Sequence, residues 1–366
     1  MKQGRTFFAS RTGIVVVGLA LGAIAATLQK LGNPANMGIC VACFSRDIAG
    51  SLGFHRAVVV QYLRPEIPAF CLGSFMAALV FREFRPRTGS SPVVRFSLGV
   101  TAMIGALIFL GCPWRAMLRL AGGDWTAVAG IAGLTAGIGV GVAFLRDGFN
   151  LGRSHPTRKL AGLTMPAVMV VLLLLVVFYP RSGDGAALFR SETGPGSMAA
   201  PVFISALAGL VVGFLAQRTR FCTVGGIRDV MLMRDWHLLS GIIAFALAAF
   251  AMSLVFGNFH PGFTRSSPAG EAIMQPAAHT VHWLNFAGMV LAGLSFTLAG
   301  GCPGRQVFLS GEGDGDAAIF VLGMLMGAAV SHNFLMVGKG PLAPYAVAFG
   351  LVVVCVIGIT GREKLA

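Results

Sequence analysis

Gly301-Cys302-Pro303-Gly304-Arg305 ends the apolar run 284–301 and repeats, with one change, the earlier Gly111-Cys112-Pro113-Trp114-Arg115. A second pair of markers keeps step with the first. Cys40 is followed six and seven positions on by Arg46-Asp47, and Cys222 at the same offsets by Arg228-Asp229. Cys112 comes 72 residues after Cys40, and Cys302 comes 80 after Cys222. Two copies of about 180 residues therefore account for the chain, 1–181 and 201–366, with a Gly/Ser/Pro-bearing linker at 182–200.

Composition says what surrounds these markers. Of 366 residues 55% are hydrophobic and only 11% charged, where a soluble domain carries about 25% charge. The 50 glycines suit helices whose backbones approach closely inside a membrane. A net charge of +14 is carried by basic residues scattered singly between apolar runs, which excludes nucleic acid as the expected partner and fits lysine and arginine beside membrane lipid.

Ten runs have the apolar character of a membrane helix: 13–31, 67–81, 96–111, 125–145, 160–179, 201–217, 238–256, 284–301, 317–336 and 341–360. The second is short, and Pro65 and Pro68 predict that it is broken. The first, with a basic start and Ala23-x-Ala25, also has the form of a signal peptide, but as the first of many spans it reads as an insertion signal. The expected fold is an all-α polytopic membrane protein. Five spans per copy is an odd number, so the copies enter from opposite sides as inverted repeats. With the N-terminus inside, 18 of the 28 Lys and Arg fall on the cytoplasmic side, which predicts an inner-membrane protein with both termini in the cytoplasm. The stretches 37–54 and 220–233 are apolar but too short to span, and predict re-entrant helices.

The markers are also where chemistry is expected. Proline is favoured at the first turn of a helix, so Cys112 and Cys302 are predicted N-caps. Free N–H groups and the positive dipole end there attract anions, and Arg115 and Arg305 add full charge one turn on. Cys40 and Cys222 are the neighbouring stations, since a thiol can donate S–H to an anion. Arg46-Asp47 and Arg228-Asp229 support them, either neutralising each other locally or pairing between copies. Cys43 makes Cys40-x2-Cys43, which invites a redox or metal reading. The second copy has Gly225 in its place, no histidines cluster nearby, and the helix that usually follows such a motif in a soluble redox fold is not expected, so neither metal nor cofactor is expected. Cys71 and Cys355 read as packing residues without polar company, and His332 as a satisfied helix-end histidine. Val337-Gly338-Lys339-Gly340 lacks the form of a phosphate-binding loop, and no enzyme is expected. The apolar runs contain no carboxylates from which a proton relay could be read.

Arg220-Phe221-Cys222-Thr223-Val224-Gly225-Gly226-Ile227-Arg228-Asp229, together with the paired Gly-Cys-Pro elements, resembles the YeeE/YedE family of membrane transporters over nearly the whole chain. Met37-Gly38-Ile39-Cys40-Val41-Ala42-Cys43-Phe44 and Gly111-Cys112-Pro113-Trp114-Arg115 are more similar to its YedE-like branch, described as selenium transporters. The resemblance implies uptake of a small sulfur- or selenium-containing inorganic anion past Cys40, Cys112, Cys222 and Cys302, and a soluble TusA-like sulfur-carrier protein as partner. Selenium-related uptake is the expected function. Thiosulfate uptake, or a membrane thiol oxidoreductase using Cys40 and Cys43, is the alternative. Cys43 departs from the family pattern as an extra thiol.

Overall fold

The computed structural model describes residues 7–178, 188–266 and 271–362, so the first part of the expected linker, 182–187, lies outside the described residues. The chain forms α1 (Arg11–Lys30), α2 (Val41–Ser51), α3 (Glu66–Val80), α4 (Pro92–Phe109), α5 (Pro113–Ala121), α6 (Thr126–Arg146) and α7 (Lys159–Phe178). The same succession then recurs as α8 (Val202–Thr219), α9 (Thr223–Met233), α10 (His237–Val255), α11 (His282–Leu298), α12 (Pro303–Gly311), α13 (Gly315–Asn333) and α14 (Ala343–Thr360).

Each of the ten runs read from the sequence forms a helix. Nine helical segments are long and apolar enough to cross a membrane among the described residues, and α3 is the shorter apolar tenth. Contrary to the expectation from its prolines, α3 is unbroken. Pro65 stands at its N-cap and Pro68 in its first turn, where a backbone N–H has no intrahelical partner to lose. A second correction concerns Cys40-x2-Cys43, which does open a helix, α2. The short helices α2, α5, α9 and α12 have 9 to 11 residues. At 1.5 Å per residue they reach about half of a 30 Å hydrocarbon core.

The packing links the two sets of seven rather than separating them. Helix α4 lies on α13 and α11 on α6; α3 lies on α8 and α10 on α1; α12 touches α3 and α5 touches α10. Exchanging α1–α7 with α8–α14 turns each of these contacts into its companion. Helices α4 and α11, which correspond to each other, meet directly. Glycine sets the closeness of the α3–α8 crossing from both sides: a Cβ on Gly73 would collide with the carbonyl of Leu210, and one on Gly213 with that of Phe70.

The described part of the linker, 188–200, is tied to the first half. The Gln61 backbone N–H donates to Ser191 Oγ at 2.7 Å, and Arg64 donates to the carbonyls of Pro195 and Met198 at 2.7 and 2.8 Å.

Candidate functional site

Four helices begin at cysteine. Cys112 and Cys302 occupy the N-caps of α5 and α12, as their following prolines predict, and Cys40 and Cys222 cap α2 and α9. The latter pair use sulfur as the capping acceptor. Cys40 Sγ accepts from the Cys43 N–H at 3.4 Å, and Cys222 Sγ from that of Gly225 at 3.3 Å. Cysteine is not a favoured capping residue, so this was not legible from type alone.

The sulfurs gather by halves. Cys40 Sγ is 3.7 Å from Cys112 Sγ, and the Cys302 N–H donates to Cys222 Sγ at 3.3 Å. All four thiols are free and buried. They end where two helix N-termini converge, and each such terminus presents N–H groups that have no partner inside its helix. The chain reaches Cys112 through Leu110 at φ 64°, and reaches Cys302 through Gly300 at φ 89°. The left-handed turn costs a leucine roughly 1–2 kcal/mol that a glycine does not bear.

The two flanking arginines differ in company. Arg115 is wholly buried. It donates to the carbonyl of Leu110, to those of Pro276 and Ala277 at 3.2 Å each, and approaches Cys43 Sγ at 3.7 Å. No carboxylate pairs with it among the described residues. Arg305 instead faces Glu312 Oε1 at 3.3 Å. Burial raises the affinity of Glu312 for its proton, against the pull of Arg305, Arg87 and Arg220.

Arg46-Asp47 and Arg228-Asp229 neutralise themselves within their own halves. Asp47 also accepts from Arg64 Nε at 2.8 Å, so one carboxylate serves two buried guanidiniums. Arg228 pairs with Asp229 at 2.8 Å in a more open setting. Cys71, expected to lack polar company, lies 3.6 Å from Ser310 Oγ. His332, expected to be satisfied, stacks on His55 with centroids 4.3 Å apart, and its buried Nε2 has no hydrogen-bond partner among the described residues.

The structure adds residues that the motifs passed over. Trp114, two positions after Cys112, is buried against Phe221, which precedes Cys222, and against Phe245, Phe308 and Phe70. Its ring also covers Gly304, two positions after Cys302, so one side chain connects the surroundings of both sulfur pairs. Its Nε1 has no hydrogen-bond partner among the described residues. Arg119 pairs with Asp124 at 2.6 Å, fully buried, and Asn33 donates to the buried Glu66 at 2.8 Å. The described cavities stop short of the sulfurs. One, of about 240 Å³, is lined by Glu83, Gln217, Arg218, Arg220 and Glu312, and so reaches the residues that flank Cys222 and α12.

Nine apolar helical segments among the described residues, packed around buried helix ends capped by cysteine, are those of a multi-pass membrane protein. The family described as Sulphur transport matches residues 218–350, a stretch that holds Cys222, Cys302, Arg305 and α9 through the start of α14. That match supports a sulfur-related membrane transporter. No curated protein matches the chain.

Proposed function

We propose that this chain is an importer of the bacterial inner (cytoplasmic) membrane for a small sulfur- or selenium-containing anion. Its halves, 1–181 and 201–366, are inverted repeats, and α2, α5, α9 and α12 are re-entrant. By the lysine and arginine distribution Cys40 and Cys112 form the outer station and Cys222 and Cys302 the inner one, with Trp114 between them. A soluble sulfur-carrier protein receives the product on the cytoplasmic side.

One observation carries this reading. Arg115 is buried one turn inside the helix capped by Cys112, and its partners are neutral carbonyls and a thiol. A buried charge without a counter-charge is costly unless its site is completed by a ligand, and a dianion is the ligand that completes this one. Backbone N–H groups, the S–H of Cys112 and Cys40, and the guanidinium all act as donors toward it. Cys43 adds a third sulfur beside Arg115, which suits a soft, polarisable selenium species.

Purified protein in liposomes loaded against labelled selenite and thiosulfate tests the reading. Uptake of one competed by the other, and lost in Cys112→Ser and Cys302→Ser proteins that still melt as wild type, is the expected result. Wild-type uptake after both changes would remove the cysteine path.

A second reading has one observation in its favour. Cys40-x2-Cys43 does open a helix, as redox-active pairs do, which keeps a membrane thiol oxidoreductase in play. Redox-dependent mass labelling of these thiols during turnover separates the two, because hydrogen-bonded passage leaves no net disulfide.

A further inference from the structure

Alignment of the two halves exposes an asymmetry. Position 122 is glycine where its counterpart 312 is glutamate, and among the described residues only the second arginine has a carboxylate partner. Arg305 Nη1 lies 3.3 Å from Glu312 Oε1, with each side chain about 15% exposed. The Arg305 stem packs on Gly301, beside Cys302, and its guanidinium reaches along α12 to Glu312, so the side chain joins the helix end where the proposed anion binds to the carboxylate. Glu312 closes α12 and lines the polar cavity, which gives its carboxylate a route to water.

We infer that Glu312 is a proton site linked to the anion: carboxylate and anion compete for Arg305, so anion binding at Cys302 takes up a proton at Glu312. This rests on the anion-transport reading above. The groups that surround Glu312 favour a one-site linkage. Arg220 and Arg218 come from the end of α8, with Arg218 bound to Glu83 at 2.7 Å; Arg87 comes from the loop before α4, bound to Asp314 at 2.7 Å; the Arg85 backbone N–H donates to the Glu312 carbonyl at 2.9 Å. Each basic neighbour other than Arg220 thus has a carboxylate of its own or approaches through its backbone, and Glu83, the second carboxylate of the cavity, is held by Arg218 and by Gln217 at 3.0 Å. Burial already disfavours the bare Glu312 carboxylate, and withdrawal of Arg305 to an anion disfavours it further. By reciprocity, a protonated Glu312 releases Arg305 and tightens anion binding, and deprotonation favours release.

The experiment is thiosulfate binding by the purified full chain in detergent between about pH 5 and pH 8, with proton uptake read by an indicator dye in weak buffer. One linked proton weakens binding by up to tenfold per pH unit above the Glu312 pKa. Wild type is expected to show this slope and to take up protons when thiosulfate is added. Glu312→Gln, a neutral mimic of the protonated acid, is expected to bind at pH 8 as tightly as wild type does at pH 5, with a flat profile and no proton uptake. Glu312→Asp is expected to restore a slope. Tight wild-type binding without pH dependence, or an unchanged slope in Glu312→Gln, overturns the linkage and leaves the anion reading standing. Absence of binding at every pH by both well-folded proteins overturns the anion reading, and the linkage with it.

Discussion

Trp114 covers Gly304, and these are corresponding positions in the two halves: the indole carbons lie 3.0 Å from where a Cβ on residue 304 would stand. The largest residue type stands at one of these matched positions and the smallest at the other, and each is suited to the other's size. Gly304→Ala is therefore expected to cost about 1–3 kcal/mol by overpacking. Trp114→Phe, which shortens the ring, is expected to cost stability alone but to relieve Gly304→Ala. A double-mutant cycle on thermal or denaturant unfolding should give a coupling of roughly 1 kcal/mol or more. Additive effects would mean that the two positions do not share this space.

Asp47 and Asp229 occupy matched positions but carry unequal loads. Asp47 is buried between Arg46 and Arg64, while the Arg228–Asp229 pair is partly open. Removing a carboxylate that leaves buried guanidiniums uncompensated costs about 3–5 kcal/mol, whereas an exposed pair is worth at most about 1 kcal/mol. Asp47→Asn is expected to lower expression and melting temperature sharply, and Asp229→Asn to change them little. Equal effects, measured by fluorescence-detected melting, would contradict this ordering.

Much of this was legible before any coordinates. The ten apolar runs are visible because a span admits almost no charge, and the Gly-Cys-Pro pair located two helix starts because proline tolerates only the first turn. Other features were hidden for physical reasons. Helix α2 contains Arg46 and Asp47, which interrupt its apolar character, yet these charges cancel inside the protein. The carboxylates of Glu66 and Asp124 are buried among polar partners just outside the apolar runs. Capping by Cys40 and Cys222 depends on sulfur acting as an acceptor, which residue preference does not suggest. The contrasts between Cys43 and Gly225, Gly122 and Glu312, and Trp114 and Gly304 were all in the letters, but they acquire meaning only when each pair is seen to flank a sulfur or an arginine.

His279 provides a pH-dependent check outside the spans. Its Nε2 lies 2.9 Å from the carbonyl of Ile108, and its buried Nδ1 has no hydrogen-bond partner among the described residues. Burial lowers its pKa below the usual 6.5, so the ring is held neutral in the fold. The unfolded chain then binds the proton more readily, and stability falls as pH drops below about 6.5 toward the folded pKa. His279→Gln is expected to flatten the acid side of a melting-temperature profile between about pH 7 and pH 5. An unchanged acid slope would place its origin elsewhere.

Arg115 offers the most direct test of what the buried charge is for. A ligand at 100 times its Kd stabilises a folded protein by about 2.7 kcal/mol, so a binding anion must raise the melting temperature of the wild type. Arg115→Met keeps most of the side-chain volume and removes the charge. The carbonyls of Leu110, Pro276 and Ala277 lose a donor, while the desolvation cost of an unpaired guanidinium disappears, so the unliganded protein is expected to remain folded with a modest change in stability. What should vanish is the stabilisation by thiosulfate or selenite, along with uptake. A variant that melts low without ligand yet gains the full wild-type shift on adding the anion would make Arg115 a brace for the 276–277 loop and not a binding group.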